Sequence, residues 1–487
     1  MSSNFEFLEP SLEYRDDGVT LLMRNKLVPD EAEPEPSGPG PRPEPPTRPM
    51  RFADAARTGN QRAAANGLQS LPQDSGLYRG VLNLARGQAA GVFDALSGEV
   101  HASVASVLQT GGETVRALPL ARLRMALDAG MEPGEPLASA SASASASASA
   151  SASASVAEGG LPASALPGPG ASPAWAQAFG NWRTLDGDGN AGRVRASEGG
   201  LFVGADRQAG GWRVGGALGY AAVHADLDAR RSRARADSYS AVAYAGRAVD
   251  AGPGRLKATA GAAYTWSEVD TRRTAGLPGA PQSLQADYGA GNGQVFAELG
   301  YALPLGGTVA RRAQAGAAAV AGAGVGVGVE AGADAPAAGS ASRRFAGAIL
   351  EPYAAASWSD LRTRGFTEQG GSAALSGERG RQAVGTTTLG LRASTAFVLA
   401  NGQRGAVQAG VGWRHAYGDV RPAATLAFDG GRPFTVSGAP IARDAAVVEL
   451  GLQAAVSRRA SVELGYAGQF GGGNRQDAAS VRLNWRF

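Results

Sequence analysis

Glu298, Glu351, Arg392, Arg414, Glu449 and Glu463 are the chemistry-bearing residues that share one pattern in this sequence. Each stands in a stretch where apolar side chains alternate with glycine, threonine, amide and charged ones. Successive side chains of a strand point to opposite faces, so all six fall on the polar face. Single carboxylates and guanidinium groups spread over separate strands do not make the paired acid and base, or the activated nucleophile, that catalysis needs. They suit a wet lumen and can hydrogen-bond a helix lying in it; a generic polar lumen is the plainer form of that reading. Other chemistries lack material. The chain has no cysteine, which removes disulfides, thiolate metal sites and thiol nucleophiles. His101, His224 and His415 stand far apart. Residues 324–330, GVGVGVE, lack the Lys-Ser/Thr pair and strand-helix context of a phosphate loop. No catalytic residue, cofactor or metal site is expected.

The elements that carry these residues read as strands with one apolar face and one polar face. Leu256, Ala258, Ala260, Ala262, Tyr264 and Trp266 alternate with Lys257, Thr259, Gly261, Ala263 and Thr265; Val448 to Val456 and Val462 to Tyr466 repeat the pattern. Twelve such units fall at 174–183, 197–207, 211–226, 235–248, 254–270, 290–304, 346–361, 383–398, 404–418, 444–457, 460–471 and 477–487. An even number of antiparallel strands, with short turns at one end and longer loops at the other, is the signature of an outer-membrane β-barrel. Short links fall at 208–210, 249–253, 400–403 and 458–459, and long ones at 271–289, 362–382 and 419–443. The Ala/Gly-rich stretch 305–345 breaks the alternation on the short side and reads as a periplasmic insert. Trp212, Tyr220, Tyr264, Trp266, Tyr301, Trp358 and Trp413 lie where aromatic girdles would sit. A soluble β-sandwich also alternates, but these strands are long and their polar face carries Gly, Glu, Arg and Gln. Pro352, inside one unit, should cost a ladder bond.

Composition fits. Glycine supplies 71 of 487 residues, about twice its usual ~7% share, and charged residues only 18%. The 46 basic and 43 acidic residues are interspersed, so no basic patch points to nucleic acid. The uncharged small-residue stretch 315–329 is too short and too rich in glycine for a spanning helix of about 20 residues. Upstream of the barrel, residues 5–29 read as one or two short strands around Asp16-Asp17-Gly18, like the end of a β-solenoid (1–29). A Pro-rich spacer (30–49) follows, then a helical junction (50–136) and a Ser/Ala and Gly/Pro linker (137–173). Within the junction, Val81 to Val107 carry apolar residues at helical spacing, and a second short helix fits Thr114–Leu127, interrupted by Pro119. No secretory signal is expected at the N-terminus as written.

The chain closes on VRLNWRF, with Val481, Leu483, Trp485 and Phe487 on one face and Arg482, Asn484 and Arg486 on the other. That tail resembles the recognition strand of outer-membrane barrels. Together with WAQAFGNW (175–182), GGLFVGADR (199–207), FAELGYALP (296–304), LEPYAAASW (350–358), TTLGLRAS (387–394) and GWRHAYGDV (412–420), it resembles the β-domain of the monomeric autotransporters. The stretches 7–25, 56–68 and 93–106 resemble the junction that follows a secreted passenger in that family. The resemblance implies a twelve-stranded barrel in the bacterial outer membrane with both barrel ends in the periplasm. It implies export of a passenger as the function, and as partners membrane lipid, the barrel assembly machinery, periplasmic chaperones and the chain's own passenger segment. It also implies a pore-filling helix, for which Thr114–Leu127 is the candidate. The family's passenger and signal peptide are expected to be missing here, as are a Gly-Thr-Ser-X-Ala or GDSL nucleophile and the Asn-Asn cleavage dipeptide. A truncated remnant, or a porin or adhesin using loops 362–382 and 419–443, is the alternative.

Overall fold

The computed structural model of the protein describes residues 3–30, 47–128, 131, 174–305, 347–398, 404–457 and 460–485. The 138–155 Ala-Ser tract, most of the Pro-rich spacer, the insert and Phe487 lie outside these residues. The chain opens with an antiparallel hairpin, β1 (Leu8–Arg15) and β2 (Gly18–Asn25), turned at Asp16-Asp17. β3 (Leu27–Pro29) pairs with β4 (Thr47–Pro49). Three short helices follow: α1 (Gly59–Gln69), α2 (Gly76–Leu82) and α3 (Ala89–Leu96). Thr58 and Gln61 form a reciprocal capping box at the start of α1, satisfying backbone donors the helix leaves free. Then comes α4 (Glu99–Asp128), 30 residues long.

β5 (Ala174–Leu185), β6 (Val194–Ala209), β7 (Trp212–Leu227), β8 (Ser232–Ala251), β9 (Gly254–Leu277) and β10 (Ala280–Leu305) form the first half of the barrel wall. β11 (Ala348–Thr363), β14 (Gly380–Val398), β15 (Arg404–Gly418), β18 (Asp444–Ala455), β19 (Ala460–Gly471) and β20 (Asn474–Trp485) complete it. β20 pairs with β5 from Trp485↔Ala174 to Asn474↔Leu185, which closes the twelve-stranded antiparallel barrel and leaves it no edge. Between them, β12 (Phe366–Thr367), β13 (Leu375–Gly377), β16 (Ala423–Phe428) and β17 (Phe434–Ser437) form a separate four-stranded sheet from the links that join β11 to β14 and β15 to β18.

The expected strands are all present, but one expected loop is not. Residues 271–289 are strand: β9 and β10 run on and meet at a two-residue turn where Gly279 sits at φ +83°. Links 228–231 and 472–473 at the same end are also tight, so long loops do not mark every link there. Beyond Trp266 the outward face turns polar, with Arg235, Asp237, Glu268, Asp270, Arg272 and Asp287 exposed. The hairpins therefore rise past the apolar band, and their length is wall.

Outward side chains of the band are apolar. Leu299, Leu389 and Val411 are about half exposed, as lipid-facing residues are when no lipid covers them. Tyr220, Tyr239 and Trp266 stand side by side in register, with Trp358 and Trp413 also outward, and Trp212 lies near the opposite end. Tyr301 is half-buried and donates to the Ala251 carbonyl at 2.7 Å. Pro352 sits where the β10–β11 ladder lapses, between Gly300↔Tyr353 and Leu303↔Leu350. Its missing N–H therefore falls where no partner is asked for. No described helix is long and apolar enough to cross a membrane, which says nothing about strands.

The upstream helices sit on the loop end. Phe7, Phe52, Leu68, Val81, Phe93 and Leu96 share one apolar core with Leu284, Leu375, Leu426, Phe428, Phe434 and Val436 from the barrel's hairpins and loop sheet. Neither half of that core is covered without the other.

Candidate functional site: a charged pore filled by a helix

The helix foreseen at Thr114–Leu127 is the lower part of α4, which begins fifteen residues earlier at Glu99. Neither Gly111-Gly112 nor Pro119 ends it. Pro119 deletes one backbone bond and crowds the preceding turn, but here the wall holds the helix from outside. Arg482 donates to the Leu118 carbonyl at 3.0 Å, and Arg183 to that of Val107 at 2.8 Å. An apolar seam runs alongside: Val115, Leu118, Leu120 and Leu123 meet Phe179, Phe202, Val242, Tyr244 and Phe296. Leu123 is fully buried there, a contribution of roughly 1.5–3 kcal/mol.

All six charged residues foreseen from the pattern point into this lumen, and each has an ionic partner. Arg392 grips Glu298 with both terminal nitrogens at 2.8 and 2.9 Å, reaches Glu449 through Nε at 3.0 Å, and lies 3.5 Å over the Tyr353 ring. Arg124 of α4 joins the same cluster, 3.3 Å from Glu298 and 3.7 Å from Glu449. Glu351 pairs with Lys257, whose ammonium also holds Asp128, the last helical residue, at 2.6 Å. Arg414 pairs with Glu113 of the helix. Glu463 pairs with Arg482, which also donates to Gln177 at 2.8 Å.

The residues that the pattern did not single out are mostly the partners. Arg122, fully buried on α4, reaches Asp206 at 2.9 Å and Asn484. Arg183 pairs with Glu198, and Asn181 donates to Thr114 at 3.1 Å. Buried ions are tolerated only when paired and hydrogen-bonded, because leaving water costs each several kcal/mol. Strand alternation was a usable signal for Asp206, Glu198 and Lys257. For the helix no signal existed, since its Arg and Glu residues resemble an ordinary solvated face.

α4 leans on the β7–β11 side of the wall, chiefly β8 and β9. Between it and the β14–β20 side remains a cavity of about 230 Å³, lined by Glu113, Arg116, Arg414, Glu449, Glu463 and Arg482 among others. The pore is thus filled but not tightly packed on its charged side. Among the described residues no group of three or more His, Asp or Glu side chains is arranged to hold a metal ion. The tail stripe splits: Val481 and Leu483 point outward and are about half exposed, the backbone of Trp485 pairs with Ala174 and Ala460, and Phe487 lies outside the described residues.

A family model described as the autotransporter β-domain matches residues 174–323 and 310–467, more than half of the chain. An extracellular serine protease of Serratia marcescens is 28% identical over 316 residues, which is 64% of this chain and 26% of that protein. A second extracellular serine protease of that organism is 27% identical over the same length. The chain therefore spans about a quarter of the curated relatives it matches. Among solved structures, the translocator domain of NalP from Neisseria meningitidis aligns with TM-score 0.45 and 16% identity, covering 71% of this chain and 97% of that one. The transport unit of AIDA-I from Escherichia coli aligns at TM-score 0.40 and 15% identity, covering 72% and 99%.

Proposed function

Because the chain belongs to the autotransporter β-domain family, we propose that its barrel exports the polypeptide on its N-terminal side and that α4 is the trailing segment left in the pore afterwards. The barrel is an integral outer-membrane translocator. In this reading the long loops face outward and the end where Ala174 meets Trp485 faces the periplasm. The observation that carries the reading is α4 itself. It runs the length of the lumen from the helical cap to Asp128, paired to the wall by Glu113, Arg122, Arg124 and Asp128. Glu298, Glu351, Arg392, Arg414, Glu449 and Glu463 then act as a charged lining that seats the segment after transport.

The match to the Serratia relatives lies in the β-domain region, so a protease activity, if this chain's passenger has one, belongs upstream of the barrel. The β1–β2 hairpin supports reading 1–29 as the end of that passenger. Leu12 pairs with Leu21 and Tyr14 with Val19, which puts four apolar side chains on one exposed face, as at the end of a β-solenoid. The spacer and the Ser/Ala linker separate the passenger end, the junction and the barrel. Val481, Leu483, Trp485 and Phe487 serve as the stripe read by the barrel assembly machinery, with periplasmic chaperones delivering the chain unfolded. Absence of cysteine suits a chain that must thread a pore.

Export is tested by placing an epitope before residue 50 behind an export leader in a Gram-negative host. Protease should remove the epitope from intact cells; protection that ends only on permeabilisation overturns the reading. Deleting Phe487 should lower the heat-modifiable barrel recovered from outer membranes, and unchanged recovery would remove Phe487 from the stripe.

A further inference from the structure

Residues 97–106 read SGEVHASVAS, and their polar side chains reach four different parts of the barrel's outer end. Glu99 accepts from the Gly192 N–H at 2.6 Å and from Arg230 Nε at 2.9 Å, in the first and second loops. His101 Nε2 lies 2.9 Å from Glu368, in the loop after β11. Ser103 accepts from the Ala439 N–H at 3.1 Å, and Ser106 donates to the Ala439 carbonyl, in the loop before β18. Gly98 allows the approach. Its φ is +67°, and a Cβ there would lie 2.5 Å from Leu375 and 2.8 Å from Leu426.

We propose that residues 97–106 form a latch that closes the extracellular mouth over the pore-filling helix, and that protonation of His101 releases it. The proposal rests on the reading that α4 plugs the pore. His101 lies above the aromatic girdle, level with Tyr288 and Phe366, whose rings lie 5.8 and 4.1 Å from its own. Its side chain is 2% exposed, and its Nδ1 has no hydrogen-bond partner. The neutral ring can donate from Nε2 to Glu368 and leave Nδ1 as a bare lone pair. Adding a proton puts an N–H with no acceptor into a dry site, which disfavours the closed state. The new charge also meets Arg273, which already holds Glu368 at 2.6 and 2.7 Å.

The other ionisable groups around the ring do not reproduce this response. Burial pushes Glu368 up, but Arg273 and His101 outweigh it and hold the carboxyl at about 2. Burial pushes the Tyr288 hydroxyl up, away from neutral pH. On the latch itself, burial pushes Glu99 up against the opposing pull of Arg230, Gly192 and Asn60. A carboxyl raised in the closed state favours closure as pH falls, so Glu99 opposes release. Burial of His101 lowers its proton affinity below the ordinary 6.5, with Arg273 acting in the same sense and Glu368 against it. The closed state is therefore fully stabilised above about pH 6.5 and loses that stability as pH falls below it.

Conductance of the full chain in planar bilayers tests this between pH 7.5 and 5.0. The wild type should be closed at pH 7.5 and its open occupancy should rise severalfold by pH 5.0, in the direction that burial of the ring and the nearby Arg273 dictate. His101→Gln, which keeps a donor to Glu368 but cannot be protonated, should show no such step, while Glu99→Gln should keep it. Because the chain has no cysteine, Ser103→Cys with Ala439→Cys gives one defined cross-link. The oxidised form should stay shut at pH 5.0 and regain opening on reduction. A wild type with no pH step, a His101→Gln variant that keeps it, or opening that persists through the cross-link each overturns the latch. Conductance at pH 7.5 equal to that of a variant lacking residues 99–128 instead overturns the plug reading beneath it.

Discussion

The two halves of α4 are held in the barrel by different forces. From Glu113 to Asp128 the helix adds full charges to its apolar seam, Arg122 to Asp206, Arg124 to Glu298 and Glu449, Asp128 to Lys257, with a cavity of about 230 Å³ beside them. From Val100 to Leu108 it is fastened by small groups and by close apolar packing with Val194, Val223, Leu227, Val269 and Leu361. Paired charges are costly to break one at a time but can exchange partners, which suits a wall past which an unfolded chain must slide. Hydroxyl and apolar contacts demand one register and exclude water, which suits a stop at the end of travel. The lower pore thus seats the helix and the upper pore seals it.

The largest expected effect breaks the charged half. Glu298→Ala leaves Arg124 without its nearer carboxylate and takes from Arg392 its bidentate partner. Removing one member of a buried ion cluster costs about 3–5 kcal/mol. Hydrogen exchange of the Glu113–Asp128 amides should accelerate accordingly, while the Val100–Leu108 amides stay protected. Equal acceleration in both halves would show that they come loose as one unit and that the contrast is false. A smaller loss is expected at the seal. Gly98→Ala forces a side chain into a left-handed backbone position and against Leu375 and Leu426. A cost of about 1–3 kcal/mol should appear as faster exchange in Val100–Leu108 first. Protection unchanged there would mean that the approach of the latch to the loop sheet does not need glycine.

The contrast also explains what was legible in the sequence. Strand alternation has a fixed period, so the wall and its inward Glu298, Arg392 and Glu449 could be read locally, and even Pro352 marked a real lapse in the ladder. Pairing with the helix could not, because Arg122 meets Asp206 across 84 positions and Arg482 meets the Leu118 carbonyl across 364. Nothing near Arg122 in the chain indicates a buried partner. The helix start was missed for a related reason. Gly111-Gly112 and Pro119 weaken an isolated helix, and only the surrounding wall overrides that preference. The helices of the outer cap were legible but their docking was not, since Leu68 and Phe93 form half of a core whose other half, Leu375 and Phe434, belongs to loops far along the chain.

Ser106→Ala gives the smallest and most local effect. The hydroxyl donates to the Ala439 carbonyl from a fully buried position, and removing it leaves that carbonyl without this donor. One such bond is worth about 1 kcal/mol, roughly a fivefold to tenfold change in local opening. Its neighbour Ser103 keeps the Ala439 N–H occupied, so the loop should stay docked at its other contact. Exchange should therefore quicken near 439 and in the second turn of α4, with the Glu113–Asp128 amides unaffected. If the lower half responds as well, the hydroxyl contacts hold the whole helix in register and the charges below are slack, which inverts the division between seat and seal.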